Sequence, residues 1–156
     1  MGKEIERKFL IKSDEYKINT QYSYLQQGYL SKQKERVVRV RVKDDKGYIT
    51  IKGKNDGATR VEYEYTIPSS DANEIIENLC QKPVIEKRRY YYNSDDGHLW
   101  EIDEFLGDNE GLVVAEIELT DETETFNKPQ WVGEEVTGDE KYYNSNLIEN
   151  PYKNWK

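Results

Sequence analysis

The chain has 156 residues, of which 35% are hydrophobic and 35% are charged, and its formal net charge is -8. This length predicts one domain, spanning residues 1–156, and the 13 Tyr, 3 Trp and 3 Phe residues argue against disorder, because disordered chains are depleted in aromatic residues. The negative charge argues against a nucleic-acid partner, which requires a basic face.

Eight segments alternate between apolar and polar residues, which predicts strands with one apolar and one polar face. They lie at about 3–11, 23–30, 36–43, 47–54, 59–67, 84–92, 98–105 and 112–119. Turn-forming sequences at 44–47, 55–57 and 94–97 indicate antiparallel neighbours. Since eight such strands can close around side chains or one small ligand, we predict a mainly β (α+β) fold. This fold is a closed eight-stranded antiparallel β-barrel with a few flanking helices.

Two helices are expected. The first covers about 70–81, where apolar residues recur at helical spacing until Pro83 blocks continuation. The second covers about 139–148, where Tyr143 and Leu147 lie four residues apart on one face.

The single cysteine, Cys80, excludes an internal disulfide framework. Together with the lack of a signal peptide, it favours a reducing cytoplasm. No apolar run approaches the roughly 20 residues of a membrane-spanning helix, so we expect no membrane partner.

Like charges recur two residues apart on the polar faces of the predicted strands. The acidic pairs are Glu4 and Glu6, Glu62 and Glu64, Glu101 and Asp103, and Glu116 and Glu118; the basic pairs are Arg39 and Arg41, and Lys87 and Arg89. Such neighbours lie roughly 6.5–7 Å apart and repel by about 2 kcal/mol at an effective dielectric of about 20. The ordinary alternative is a charged face that only meets water. The repetition instead favours bound counter-ions, with metal ions on the carboxylates and an anion on the cations.

The residue types indicate which counter-ions fit. Oxygen ligands without a cluster of His or Cys favour Mg²⁺ or Mn²⁺ over zinc. Lys and Arg beside such ions suit phosphoryl transfer, where catalysis is mostly positioning and charge neutralisation. His98, the single histidine, lies beside a predicted turn and is not expected to be a catalytic base, because a metal ion can activate water without one.

The opening sequence EIERK at 4–8 resembles the ExExK signature of the CYTH superfamily, the triphosphate tunnel metalloenzymes. The resemblance continues through QQGYL at 26–30, VRVR at 38–41, TIK at 50–52, EYE at 62–64, EKRRY at 86–90, WEIDEF at 100–105 and AEIEL at 115–119. Seven further motifs in the same order make this resemblance much more specific than ExExK alone.

The resemblance implies an eight-stranded tunnel that binds and hydrolyses a linear triphosphate with Mg²⁺ or Mn²⁺, expected as two ions. The residues implied to hold phosphate oxygens are Lys8, Arg39, Arg41, Lys52, Lys87 and Arg89. Those implied to hold metal are Glu4, Glu6, Glu62, Glu64, Asp103, Glu116 and Glu118. Tyr29 matches a tyrosine proposed to work with a nearby lysine in catalysis, and Lys52 and Lys87 are the candidates to neutralise the leaving group.

Several functions share this architecture. The short chain leaves little sequence for a base pocket, which favours hydrolysis of inorganic tripolyphosphate to pyrophosphate and phosphate. The alternatives are an adenylyl cyclase of class IV type, a thiamine or nucleoside triphosphatase, a non-catalytic polyphosphate-binding module, and a plain sheet protein with a solvated charged face. Apolar outer faces, if left uncovered, also favour a homodimer.

Overall fold

The computed structural model describes residues 2–155. Within this range the strands are β1 (Lys3–Ile11), β2 (Tyr22–Ser31), β3 (Val37–Lys43), β4 (Lys46–Lys52), β5 (Thr59–Ile67), β6 (Ile85–Asn93), β7 (Leu99–Phe105), β8 (Val113–Glu118) and β9 (Val132–Glu135). The α-helix α1 (Ser69–Asn78) lies between β5 and β6. Short 3₁₀ helices occur at Glu15–Lys17, Gly107–Asn109, Glu140–Tyr142 and Tyr152–Asn154.

The strands β1 to β8 form a closed barrel. Their order around the sheet is β5, β4, β3, β2, β6, β7, β8 and β1, and every pairing is antiparallel. Residues 3–5 of β1 then pair with residues 59–61 of β5, which closes the ring. The predicted fold class is therefore confirmed, and each predicted strand agrees with the observed one to within two residues at both ends.

The strand β9 extends the barrel wall where β5 ends. Beyond its pairing with β5, β1 pairs with β9 through Phe9 opposite Glu135 and Ile11 opposite Val132. This strand was not predicted, because four residues that include Gly133 are too few to display an alternating pattern.

The outer faces of the strands are apolar, and neighbouring segments cover much of them. Val40 and Val42 of β3 form a buried cluster with Ala72 and Ile76 of α1. The chain between β8 and β9 covers another side, where Trp131 belongs to a buried aromatic cluster of β1 and β7 residues. Because apolar residues pack outside, the polar faces point into the barrel.

One predicted helix is confirmed and the other is wrong. The helix expected at 70–81 is α1, which ends three residues earlier at Asn78. The segment 139–148 instead forms a 3₁₀ turn at Glu140–Tyr142 followed by further turns. Asn144 and Asn146 use their side chains in hydrogen bonds outside any helix, which competes with helix formation. Among residues 2–155, no helix has the length and apolar character needed to cross a membrane.

Candidate active site

The barrel encloses a cavity of about 300 Å³ lined mainly by charged side chains. Every strand from β1 to β8 contributes to the lining. Thirteen of the predicted site residues line it: Tyr29, Lys8, Arg39, Arg41, Lys52, Lys87, Arg89, Glu4, Glu6, Glu62, Glu64, Glu116 and Glu118. Asp103 lies behind this lining, in contact with Lys87 and Arg89. The structure thus brings the predicted residues together, and their individual roles stay predictions.

The pleat and the strand register explain this convergence. In a strand, every second side chain points to the same face, so the charges predicted two residues apart, all but Asp103, line the cavity. Across the strands, Lys8 lies opposite Glu116, and Glu116 lies opposite Glu101. On the side of β1 that pairs with β5, Lys52 of β4 lies opposite Glu62 of β5. Acidic and basic residues are therefore interleaved around one space.

Carboxylates are crowded around the start of β1. Burial, followed by repulsion from Glu116 and Glu4, raises the pKa of Glu6 well above its usual range. Burial and then Glu4 also raise the pKa of Glu62. Lys52, whose Nζ lies 3.3 Å from Glu4 and 3.4 Å from Glu62, balances only part of this negative charge. The cluster therefore keeps an excess of negative charge.

A hard divalent cation would balance that charge. Among residues 2–155, no three His, Cys, Asp or Glu side chains are already grouped closely enough to hold a metal ion. Mg²⁺ does not require such a cage, because it keeps several waters and binds one or two carboxylates together with substrate phosphates. The oxygen-only donors and the crowded negative charge around Glu6 fit Mg²⁺ or Mn²⁺.

Cations dominate the wall formed by β3 and β6 on either side of β2. Burial, with repulsion from Arg89 and Arg41, lowers the pKa of Lys87 from 10.5 to about 7, although Asp103 acts in the opposite direction. Burial and then Arg39 and Arg89 lower the pKa of Arg41 to about 9. Crowded, buried cations of this kind are chemically suited to an anion.

Asp103 supports this cationic wall from behind. Its oxygens lie 2.7 Å from Lys87 Nζ and accept hydrogen bonds of 2.7 and 2.9 Å from Arg89. Burial acts to raise the pKa of Asp103, but Arg89 and Lys87 outweigh it and hold this pKa below its usual range. The carboxylate therefore orients two cations, while its predicted contact with metal stays untested.

Two residues that contact the cationic wall were missed by the sequence reasoning. Gln27 is fully buried and accepts hydrogen bonds from Arg41 through its Oε1. Asn144 lines the cavity and accepts a hydrogen bond from Lys87. Gln27 could have been found, since it lies on the inward face of β2 with Tyr29, two residues away. Nothing in the local sequence indicates that Asn144 reaches β6.

His98 lies apart from the cavity lining, at the turn between β6 and β7. Its Nε2 is 2.6 Å from Glu124 and its Nδ1 is 3.1 Å from Asp96. These contacts join the turn to the segment that covers the outside of the barrel, so His98 has a structural role there.

Comparison with known proteins agrees with this geometry. An inorganic triphosphatase from Acetivibrio thermocellus is 58% identical over 156 residues, covering 100% of this chain and 99% of the relative. An inorganic triphosphatase from Nitrosomonas europaea is 34% identical over 148 residues, covering 92% of this chain and 95% of the relative. A crystal structure of an inorganic triphosphatase superimposes with a TM-score of 0.67 at 31% identity, covering 92% of this chain and 96% of that chain.

The family assignment rests on a match along most of the chain. The model of the CYTH domain family matches residues 2–149, which includes all the predicted motifs and all nine strands of the described range. The closed antiparallel barrel of this chain superimposes on that crystal structure over 92% of its length. The chain belongs to the CYTH domain family.

Proposed function

We propose that the protein hydrolyses inorganic triphosphate to pyrophosphate and phosphate. The observation that carries this proposal is the enclosed cavity in which a crowded carboxylate cluster adjoins a cationic wall. Two relatives that bear the name inorganic triphosphatase support the same substrate. The cavity of about 300 Å³ lies inside the barrel, and its dense charge suits a compact polyanion better than an organic base.

The cations bind and orient the substrate. Lys8, Arg39, Arg41, Lys52, Lys87 and Arg89 would contact phosphate oxygens. Arg suits paired oxygens, because its guanidinium can donate two parallel hydrogen bonds. Lys87, with a pKa near 7, can hold or release a proton at its Nζ near neutral pH, and could therefore neutralise the leaving phosphate. Tyr29 lines the same cavity and is proposed to assist Lys87.

The carboxylates Glu4, Glu6, Glu62, Glu64, Glu116 and Glu118 are proposed to hold Mg²⁺ or Mn²⁺, with two ions expected. When bound, such ions polarise phosphoryl oxygens and lower the pKa of a coordinated water. The crowding around Glu6 supports this assignment. Asp103 is proposed as a further ligand on the family resemblance alone, since its oxygens contact Lys87 and Arg89 behind the lining.

Phosphate release from three substrates tests the proposal. Tripolyphosphate, ATP and thiamine triphosphate would be compared with Mg²⁺, with Mn²⁺ and with EDTA. We expect the highest kcat/KM with tripolyphosphate and loss of turnover in EDTA. Formation of cyclic AMP and pyrophosphate from ATP, measured by chromatography and faster than phosphate release from tripolyphosphate, would establish the cyclase alternative instead.

One substitution separates an enzyme from a binding module. Glu116→Gln should lower metal-dependent turnover at least tenfold if the carboxylate takes part in the reaction. A module that only binds polyphosphate should keep its anion affinity and show no turnover even in the unchanged protein.

A homodimer and a cytoplasmic location stay proposals. On the outer face of the barrel, Ile51, Val61, Tyr63 and Tyr65 are between 40% and 58% exposed. An apolar face of this kind is suited to contact with a second copy. Light scattering after size-exclusion chromatography would give the mass, and a monomer at tens of micromolar would contradict the dimer.

A further inference from the structure

Two neutral amide side chains connect the cationic wall to the segment after β9. Asn144 Oδ1 accepts hydrogen bonds from Lys87 Nζ at 2.7 Å and from Gln27 Nε2 at 3.2 Å. Gln27 Oε1 accepts hydrogen bonds from Arg41 Nε at 2.9 Å and Nη2 at 2.7 Å. A continuous series of hydrogen bonds therefore runs from Lys87 through two amides to Arg41.

The partners determine the orientation of both amides. Lys and Arg side chains only donate, so Gln27 must turn its oxygen toward Arg41, and Asn144 must turn its oxygen toward Lys87. Gln27 Nε2 then meets two acceptors, Asn144 Oδ1 and the Tyr29 hydroxyl at 2.9 Å. Since Gln27 is fully buried, flipping its amide would leave donors facing donors without water to relieve them.

A neutral acceptor suits this position better than a charged one. Lys87 is 1% exposed and already contacts one carboxylate, that of Asp103. A second carboxylate would cancel the positive charge that an anionic substrate needs. An amide oxygen satisfies a further proton of the ammonium group and leaves its charge in place.

The position of Asn144 in the chain adds a condition. It lies in turns outside the barrel strands, yet it reaches a lysine near the start of β6. The segment must therefore be docked against the barrel before Lys87 acquires this contact.

We propose that Asn144 is a positioning residue that directs the Lys87 ammonium toward the substrate, with Gln27 linking it to Arg41 and Tyr29. The inference rests on the proposed function, since the orientation matters through phosphoryl transfer at Lys87. A misdirected ammonium would weaken charge neutralisation in the transition state more than binding in the ground state.

Two matched substitutions test it. Asn144→Leu removes the acceptor at similar size, whereas Asn146→Leu breaks a hydrogen bond to Glu140 O in the same segment without contacting Lys87. With tripolyphosphate we expect Asn144→Leu to lower kcat about tenfold or more and to change KM less than about threefold. Asn146→Leu should lower kcat less than about twofold.

The resonance of the Lys87 ammonium group gives a readout independent of turnover. In proton–nitrogen spectra of the protein without ligand, it should shift or broaden in Asn144→Leu and remain unchanged in Asn146→Leu. Asn144→Ser should have the same effect as Asn144→Leu, because the serine side chain is too short to reach Lys87. It replaces Asn144→Leu in the test if the leucine variant does not fold.

An unchanged Lys87 resonance in the Asn144 variants would overturn the inference, as would equal losses of kcat in Asn144→Leu and Asn146→Leu. If the unchanged protein releases no phosphate from tripolyphosphate while the resonance responds only to Asn144, the proposed function fails and the orienting contact is supported.

Discussion

Asp103→Asn should destabilise the protein by leaving two buried cations without their shared carboxylate. Asp103 is 2% exposed, and its oxygens lie 2.7 Å from Lys87 and 2.7–2.9 Å from Arg89. Removing one partner of a buried ion pair costs about 3–5 kcal/mol. Arg89 would keep longer contacts with Glu101 at 3.5 Å and Glu116 at 3.6 Å, so we expect the lower end, about 3 kcal/mol.

Urea unfolding at pH 7 without ligand measures this loss in the free energy of unfolding. The matched control is Glu101→Gln, which removes a carboxylate from the same strand near the same arginine. Because the Glu101 side chain is 32% exposed, that change should cost less than about 1 kcal/mol. A loss below about 1 kcal/mol in Asp103→Asn would refute the view that this carboxylate stabilises the cationic wall.

The pH dependence gives the same prediction a second readout. The pKa of Lys87 falls from 10.5 to about 7 in the folded chain, mainly through burial. The unfolded chain therefore binds more protons between these values, and this group makes stability rise with pH across that range. Without the attraction of Asp103, the folded pKa falls further, so the rise in Asp103→Asn should begin at a lower pH than in the unchanged protein.

Three further predictions concern separate features. Glu6→Gln should raise the Tm of the metal-free protein, because it removes a carboxylate whose raised pKa makes the folded chain less stable as pH increases. It should also lower metal-dependent turnover at least tenfold. A lower Tm would contradict the stability argument. His98→Gln should lower the Tm most below pH 6.5, because the hydrogen bond with Glu124 raises the pKa of His98 in the folded chain. The stability that His98 contributes is complete below its pKa in the unfolded chain and is lost as pH rises through its pKa in the folded chain. An equal effect on Tm at pH 6 and pH 9 would exclude this. Gly28→Ala should cost about 1–3 kcal/mol in urea unfolding, because the new Cβ would lie 2.6 Å from Cys80 Cβ, and Cys80→Ala should not rescue it because that Cβ remains.

The barrel could be predicted because each strand obeys one simple rule. Alternation along β3 places Arg39 and Arg41 inside and Val40 and Val42 outside, and the buried contact of those valines with α1 agrees with it. The same rule brought the candidate site together, since all the paired charges except Asp103 line the same cavity. The alternation along each strand was therefore enough to predict which side chains face the cavity and which face outward.

Periodicity was not enough where function depends on contacts distant in sequence. The segment 139–148 shows apolar residues at helical spacing, yet the side chains of Asn144 and Asn146 bond to Lys87 and to the Glu140 carbonyl, and such bonds compete with helix formation. Asn144 is 57 positions from Lys87, and no pattern near either residue indicates the contact. For Asp103, the sequence pattern could not distinguish a carboxylate facing the cavity from one facing two cations.

The balance of charge in the cavity explains why acidic and basic residues are interleaved. Within the described range 2–155, eight cationic and seven acidic side chains line it, so their formal charges nearly cancel. A linear triphosphate carries several negative charges, and such a lining cannot neutralise it unaided. A wholly cationic cavity could bind the anion, but it would offer no ligands for divalent ions and would repel them. Under the proposed function, interleaved carboxylates would allow metal and substrate to bind together, each supplying charge that the other lacks. Under the proposed function, the excess of acid around Glu6 and the excess of cations around Lys87 are two parts of one requirement.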